Sequence, residues 1–597
     1  MYIKLTTGKK DNKQVWLVES YRDKNKKTQQ RYLQFLGYEN DLTKDNPKAI
    51  LELREFYRNL KKEDMVTLNM NCVPTSNLKK LYEGPIDELA SNSRKTHDLG
   101  TRNDLELSPV LNIGYNLLNI IYEKLEIGKF IKQITKNLKI EYDPNEALKF
   151  HIYSRILNPD SILSRYRDKH QFFESFDVSL NDSYRFLSIL YKQIDEFQKY
   201  LFDKINILYK RDLSVLLYDV TNYYFSMEEG SGLKEKGVSK EQQLTVLIQM
   251  ALMSSIDGIP IAYNLFQGNT HDSQTVPTML KKWLEAFNQK EKPITFIADK
   301  GINNAKNMIN LDKGGNTYII SQRVKGASKA FRDWVSEAND YVYIGDSFKM
   351  KSRIITKTYS YSEKDENGKY KIVEKREINE KQIAFWSMNF EKRELKKINK
   401  NINASIKTLG NIGTFKAESA RGRNRYLIGS AKNKDGSNAK LTYTLDQDKI
   451  EKDILYAGYY AIITNNLEIT DNEAIELYRK LTKVEETFKY TKSLLETRPV
   501  YVSNEERIQS HFLICYIALI LITLLAKEVN DEITDDSNKI SLERIIKAMN
   551  ETTVTKLKSG TYTLNKLSKD YVLISKILKK PLLQEYYLEE QLVKIIK

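Results

Sequence analysis

The chain has 597 residues, 41% of them apolar and 29% charged, which suits several packed domains and excludes a single small binding module, a fibrous repeat and global disorder. Ninety-five Lys and Arg against 79 Asp and Glu leave a formal charge of +16, so a polyanion such as nucleic acid is the partner that composition favours. Only Cys72 and Cys515 are present, which removes disulfide scaffolds and paired-cysteine zinc sites and points to a reducing compartment.

The opening MYIKLTTGKK has no apolar signal core, so export is not expected. Residues 1–45 read as a small basic β-rich unit, with β-like runs at 15–18 and 32–36 and nine basic against four acidic side chains in the first 40 residues. Over 46–208, apolar residues recur at spacings of three and four in the stretches 47–56, 111–131, 144–157 and 184–208, which predicts a mainly helical region. Near 209 the period changes. Strand-like runs at 213–220, 244–253 and 259–266 follow, the last two joined by Asp257-Gly258, a hairpin signal because both positions tolerate positive φ. A helix over 275–288, a strand over 294–298, a helix over 303–311 and a strand over 317–321 complete the first part, 209–323, of a mixed α/β sheet domain.

Residues 324–455 show alternating pieces at 341–344 and 352–361 and no long amphipathic helix, so a β-rich basic insertion domain is expected there. Within it, residues 391–440 hold 13 Lys or Arg against four Asp or Glu, a surplus of nine, and Lys396, Lys397, Arg421, Arg423 and Arg425 are candidate DNA contacts. Residues 456–530 supply the second part of the core: a strand at 459–464, then a capping box, Thr470-x-x-Glu473, opening one helix that runs to about 495. The apolar run 512–526 is 15 residues long, short of the roughly 20 that cross a bilayer, and reads as a buried helix with no membrane partner. The remainder, 531–597, reads as helical.

Five histidines with no metal-ligand spacing, no Gly-x-Ser-x-Gly and no phosphate-binding glycine loop leave carboxylates as the candidate chemistry. Asp219 is a polar stop on the apolar strand Val215-Leu-Leu-Tyr-Asp219, and Asp299 ends Phe296-Ile-Ala-Asp299. A carboxylate where a strand leaves the core is partly desolvated and rigidly held, as a magnesium ligand must be, although taken singly each suits a turn or helix cap as well. On a single straight helix Tyr478, Leu481, Glu485 and Lys492 share one face, a pattern equally open to metal binding with phosphate contact or to an amphipathic helix with a wet edge.

Together these residues carry a resemblance. Asp219 in Tyr-Asp-Val-Thr-Asn, Asp299 in Ala-Asp-Lys-Gly and Tyr478-x2-Leu481-x3-Glu485-x6-Lys492 resemble the three motifs of insertion-sequence DDE transposases whose third motif reads Tyr-x2-Arg-x3-Glu-x6-Lys. Asp257-Gly-Ile-Pro with Phe266-Gln-Gly-Asn-Thr-His-Asp, and Arg498-Pro-Val-Tyr with Glu506-Arg-Ile-Gln-Ser-His-Phe, are similar to that family too. One position departs: Leu481 stands where the signature has Arg, and Arg479 and Lys480 point elsewhere around a helix. Glu486 is a register rival of Glu485, which is preferred because only it places Lys492 seven residues on and shares the Tyr478 face.

The resemblance implies an RNase H-like mixed-sheet catalytic core interrupted by the β-rich insertion, with helical N- and C-terminal regions. Asp219, Asp299 and Glu485 would hold two Mg2+ ions, with Mn2+ able to substitute, for cutting and joining DNA. Tyr478 and Lys492 would contact the DNA backbone. The expected partners are double-stranded DNA, at the element's terminal inverted repeats and at the target, and a second copy forming a homodimer on DNA. The expected setting is the cytoplasm, at a bacterial-type nucleoid. A catalytically inactive, transposase-derived DNA-binding regulator is the alternative.

Overall fold

The computed structural model describes residues 2–6, 13–22, 28–43, 47–51, 53–54, 109–227, 229–239, 244–287, 293–365, 368–409, 422–430, 442–498, 500–557 and 559–596. The chain divides into two compact units, Met1–Thr101 and Arg102–Lys597.

In the first unit, β1 (Tyr2–Thr6), β2 (Gln14–Arg22) and β3 (Thr28–Tyr38) form an antiparallel sheet in that order. Alternation along β1 and β2 puts Ile3, Val15 and Leu17 into a small core. The expected helix over 47–56 lies partly outside the described residues.

The second unit opens with β4 (Val110–Asn112) and a helical layer that includes α1 (Asn116–Lys124), α2 (Ile127–Thr135), α3 (Pro144–Leu157), α4 (Leu180–Tyr191) and α5 (Ile194–Tyr209). Asp143 caps α3 by accepting from Asn145 N, and Pro144 occupies the first turn, where a missing N–H costs nothing.

A ten-stranded sheet follows. Its strands are β5 (Val215–Tyr224), β6 (Glu235–Val238), β7 (Leu244–Ser255), β8 (Pro260–Gln267), β9 (Thr295–Ala298), β10 (Thr317–Gln322), β11 (Val342–Ile344), β12 (Phe348–Lys364), β13 (Tyr370–Ser387) and, after residues 427–445, β16 (Tyr459–Thr464). The order is β11-β12-β13-β16-β10-β9-β5-β7-β6, with β8 also on β7. Strands β5, β9 and β10 run parallel and all other pairings are antiparallel. The turn between β7 and β8 is the expected Asp257-Gly258, with Gly258 at φ +84°; its Cα is approached so closely that an added Cβ would stand 3.2 Å from Lys483 Cβ. Helices α6 (Asp272–Lys281) and α7 (Ala305–Lys313) connect β8 to β9 and β9 to β10.

Residues 324–455 differ from expectation. β12 and β13 are β-rich as predicted, but they pair into the main sheet through β16. They are followed by a 22-residue helix, α8 (Met388–Leu409). Its apolar stripe is narrow, with Leu395, Ile398 and Ile402 one per turn among lysines and asparagines, so no periodic face announces it. Short strands β14 (Leu427–Ser430) and β15 (Thr442–Leu445) and the helix α9 (Gln447–Leu455) complete this segment.

The helix expected over 470–495 is two helices, α10 (Asp471–Arg479) and α11 (Thr482–Ser493). The Thr470–Glu473 capping box opens α10 as predicted. At 480–481 the chain tightens into three-residue turns, Leu481 N donating to Tyr478 O and Lys483 N to Lys480 O, which carries Leu481 into the main core.

The long apolar helix is α12 (Glu505–Asp531); 78% of its most apolar stretch is buried inside the protein, packed against α1, α3 and α4, which makes it a core helix. The C-terminal region is not purely helical: β17 (Thr553–Lys556) pairs with β4, and β18 (Tyr562–Leu564) and β19 (Tyr586–Tyr587) extend that four-stranded sheet. Strands of two to four residues are too short for their period to show in sequence.

Candidate functional site

Strands β5 and β9 are parallel neighbours with Leu217 opposite Ile297 and Tyr218 opposite Ala298. Asp219 is the next residue on β5 and Asp299 the first residue past the end of β9, so they follow abreast of one another from strands about 4.8 Å apart. Alternation gives both the face of Leu217 and Ile297, which belongs to the larger core, while Tyr218 and Ala298 point into the smaller one beneath α6 and α7. Both aspartates are partly exposed at the edge of that core. Asp299 leaves the sheet into a tight turn, Lys300–Ile302, and its Oδ1 accepts from Ser321 Oγ on β10 at 2.7 Å.

The third motif crosses the same face. Lys492, in the last turn of α11, donates from Nζ to Thr221 Oγ1 at 2.5 Å and lies 5.7 Å from the Tyr223 ring centroid. Thr221 and Tyr223 follow Asp219 at steps of two, so α11 covers the Asp219 side of β5. The Tyr223 hydroxyl also meets Thr491 Oγ1 at 2.6 Å, fixing the end of α11 to the strand. Glu485 lies in the first turn of α11 and is exposed. Burial pushes the Tyr478 phenol well above its ordinary pKa; the charges of Asp299 and Glu485 add to the rise and the Ser321 hydroxyl opposes it. Tyr460 is raised by burial too, with Glu394, Asp299 and Glu485 contributing. Glu486 instead bears on Tyr490, whose pKa rises by burial first and by that carboxylate second. The structure therefore brings Asp219, Asp299, Tyr478, Glu485 and Lys492 to one face of the sheet.

The donor set fits a hard divalent cation, since all three candidate ligands are carboxylate oxygens. Among the described residues no three His, Cys, Asp or Glu side chains are gathered at ligating distance.

A cavity of about 750 Å³ opens beside Asp299, with Ser321, Tyr460, Tyr478, Lys325 and Arg425 among its walls. Of the basic candidates, Arg425 is thus at the site, whereas Lys396 and Lys397 are exposed on α8. Arg421 and the Arg423 side chain lie outside the described residues. Sequence reasoning missed Ser321, Thr221, Tyr460 and Lys325. The first two carried a signal, a hydroxyl in an apolar strand at a step of two from a candidate or on the neighbouring strand; the latter two carried none.

The sequence matches the family model for the transposase DDE domain over residues 225–521 and that for the IS1634 family transposase N-terminal domain over residues 3–64. The chain belongs to the insertion-sequence DDE transposases. The matched DDE region of this transposase contains Asp299 and Glu485 and starts just past Asp219. No curated protein matches the transposase sequence. Among solved structures, the piggyBac transposase synaptic complex with hairpin DNA is 9% identical, covering 83% of this chain and 87% of that one, with a TM-score of 0.37. The Mos1 mariner paired-end complex with Mn is 12% identical, covering 45% of this chain and 76% of that one, with a TM-score of 0.11. Overlap at that level does not establish a shared fold for the transposase.

Proposed function

We propose that this transposase cuts and joins DNA at the ends of its element, using Asp219, Asp299 and Glu485 as the ligands of two divalent cations in an RNase H-like core. The observation that carries the reading is the pair of aspartates abreast on β5 and β9, with α11 laid across the same face. The strand order β8-β7-β5-β9-β10, with the last three parallel, supports the RNase H-like assignment. Bound magnesium or manganese would activate the attacking oxygen and stabilise the leaving 3′ oxygen of an in-line displacement at phosphorus.

The chain's own groups set the geometry. Asp219 is held within β5 and Asp299 at the end of β9, which fixes their Cα positions. Ser321 orients Asp299 through its hydroxyl. Tyr478 stays protonated because burial raises its pKa, so it can donate to a phosphate oxygen. Lys492 supplies a positive charge over the Asp219 face. Two copies acting on paired element ends, as the family resemblance implies, complete the reading.

Cleavage of duplexes carrying the DNA that flanks the chain's own reading frame tests this. Asp219→Asn, Asp299→Asn and Glu485→Gln are expected each to lower metal-dependent cutting by at least about 10²-fold while DNA binding persists. Unequal loss, with one variant near wild type, removes that residue from the ligand set. A wild type that binds but cuts nothing with either metal leaves the inactive regulator standing.

A further inference from the structure

Asp453, on α9, is a carboxylate with both oxygens engaged. Its Oδ1 is 3.1 Å from Lys325 Nζ, and its Oδ2 accepts from Arg425 Nη2 and from the Tyr426 hydroxyl, each at 2.8 Å. Lys325 also donates to the Asp453 carbonyl at 3.3 Å. The Asp453 side chain is 7% exposed, against 37% for Lys325 and 41% for Arg425, so the carboxylate is buried behind the two cations it holds. One negative charge does not neutralise two positive ones. The trio keeps a surplus of one, and both cations line the cavity that also contains Asp299.

Long cationic side chains normally lose rotamer entropy when they grip an anion. Here that loss is already taken: Asp453 pins both, and the Arg425 guanidinium lies 5.3 Å from the Tyr426 ring centroid. With Nη2 committed to Asp453, the planar fork still has other N–H donors, and beside an ammonium it matches the two free oxygens of a phosphodiester. Nothing in a solvated charge run requires a buried acid behind it, and among the candidates of the 391–440 segment whose side chains are described, Lys396, Lys397 and Arg425, only Arg425 is found with one.

We propose that Lys325 and Arg425, fixed by Asp453, form a seat for a DNA phosphodiester in the cavity beside Asp299, with Asp453 as its positioning residue. The seat holds the strand next to the scissile phosphate, so it rests on the reading of this site as one that cuts DNA. It ties the basic 391–440 segment to the carboxylates through one fixed contact.

The test compares full-length wild type, Lys325→Met, Arg425→Met and Asp453→Asn, with far-UV circular dichroism and melting as the check on folding. Binding to a mixed-sequence DNA duplex is measured across a salt series without divalent metal, and cleavage of the flanking-sequence duplex is measured with magnesium. Losing one phosphate contact is expected to lower the slope of log affinity against log salt by about one in each of the Lys325 and Arg425 variants. KM should rise several-fold with kcat within about twofold, since an evenly held contact serves ground and transition states alike. Asp453→Asn removes a negative charge yet is expected to bind more weakly, a result bulk charge does not give. Slopes unchanged in both cation variants, or tighter binding by Asp453→Asn, overturn the seat. The binding arm needs no chemistry, so a wild type that fails to cut defeats the catalytic reading while the slopes still decide the seat.

Discussion

Leucine at 481 replaces the arginine of the resembled signature, and its side chain is 4% exposed in the main core. Restoring arginine there would carry a guanidinium among apolar neighbours, where an uncompensated buried charge costs about 3–5 kcal/mol. Leu481→Arg is therefore expected to melt well below the parent without gaining cleavage activity; equal melting temperatures would show that the helix junction lets the side chain reach water. Tyr478 makes a second case. Its folded pKa is raised, so the neutral phenol persists above pH 10, where an unfolded tyrosine ionises, and the stability it contributes is complete below about pH 10 and lost only above it. If the phenol acts as a donor, Tyr478→Phe should cut several-fold more slowly by a factor that stays constant from neutral pH to about pH 10. A ratio that closes as pH approaches 10 would mean an ordinary, ionising phenol.

Elements explain which parts of the site could be read ahead of the structure. The β5–β9 pair is legible because each strand is an apolar run ended or interrupted by a single aspartate, and the β7–β8 hairpin because Asp257-Gly258 admits positive φ. The α10–α11 junction is not legible: Lys480 and Leu481 are both good helix formers, and only the pull of the core on Leu481 tightens the turn. The Asp453 trio is equally hidden, since its members lie on three separate segments brought together by folding. Another buried cluster, where α3 meets α12, predicts acid sensitivity. His151 is drawn down to about 3 by burial and then by the Arg165 charge, and His511 is lowered by burial and by Arg155 and Arg165. Arg155 also donates to Leu495 O, just past α11, so this packing supports the site helix. Both histidines bind protons more weakly folded than unfolded, so stability falls as pH drops below about 6.5, by about 2 kcal/mol at pH 5 for His151. Melting temperatures between pH 7 and 5 should fall steeply for wild type and less steeply for His151→Gln. Parallel slopes would mean that the ring is hydrated.

For the whole molecule, the two units divide the charge unevenly. Residues 1–101 contain 19 Lys or Arg and 14 Asp or Glu, a surplus of five within the total of +16, on a unit with its own sheet and small core. Most of the positive field therefore belongs to the unit that carries Asp219, Asp299 and Glu485. On the proposed reading, phosphate contacts release counterions, and a footprint of about six to ten contacts loses about 10³- to 10⁵-fold in affinity between 50 and 200 mM salt. A chain beginning at residue 102 keeps the larger unit and should retain a steep, though shallower, salt dependence together with metal-dependent cutting. The family match over residues 3–64 assigns the missing part to a transposase N-terminal domain, so discrimination between element ends and other DNA is expected to suffer more than affinity does. Titrating full-length and shortened chains against end-containing and mixed-sequence duplexes measures both quantities. A shortened chain that still prefers its element ends as strongly as the full-length chain would locate end recognition in the larger unit, and a salt slope near zero in either chain would show that the basic surfaces do not face DNA.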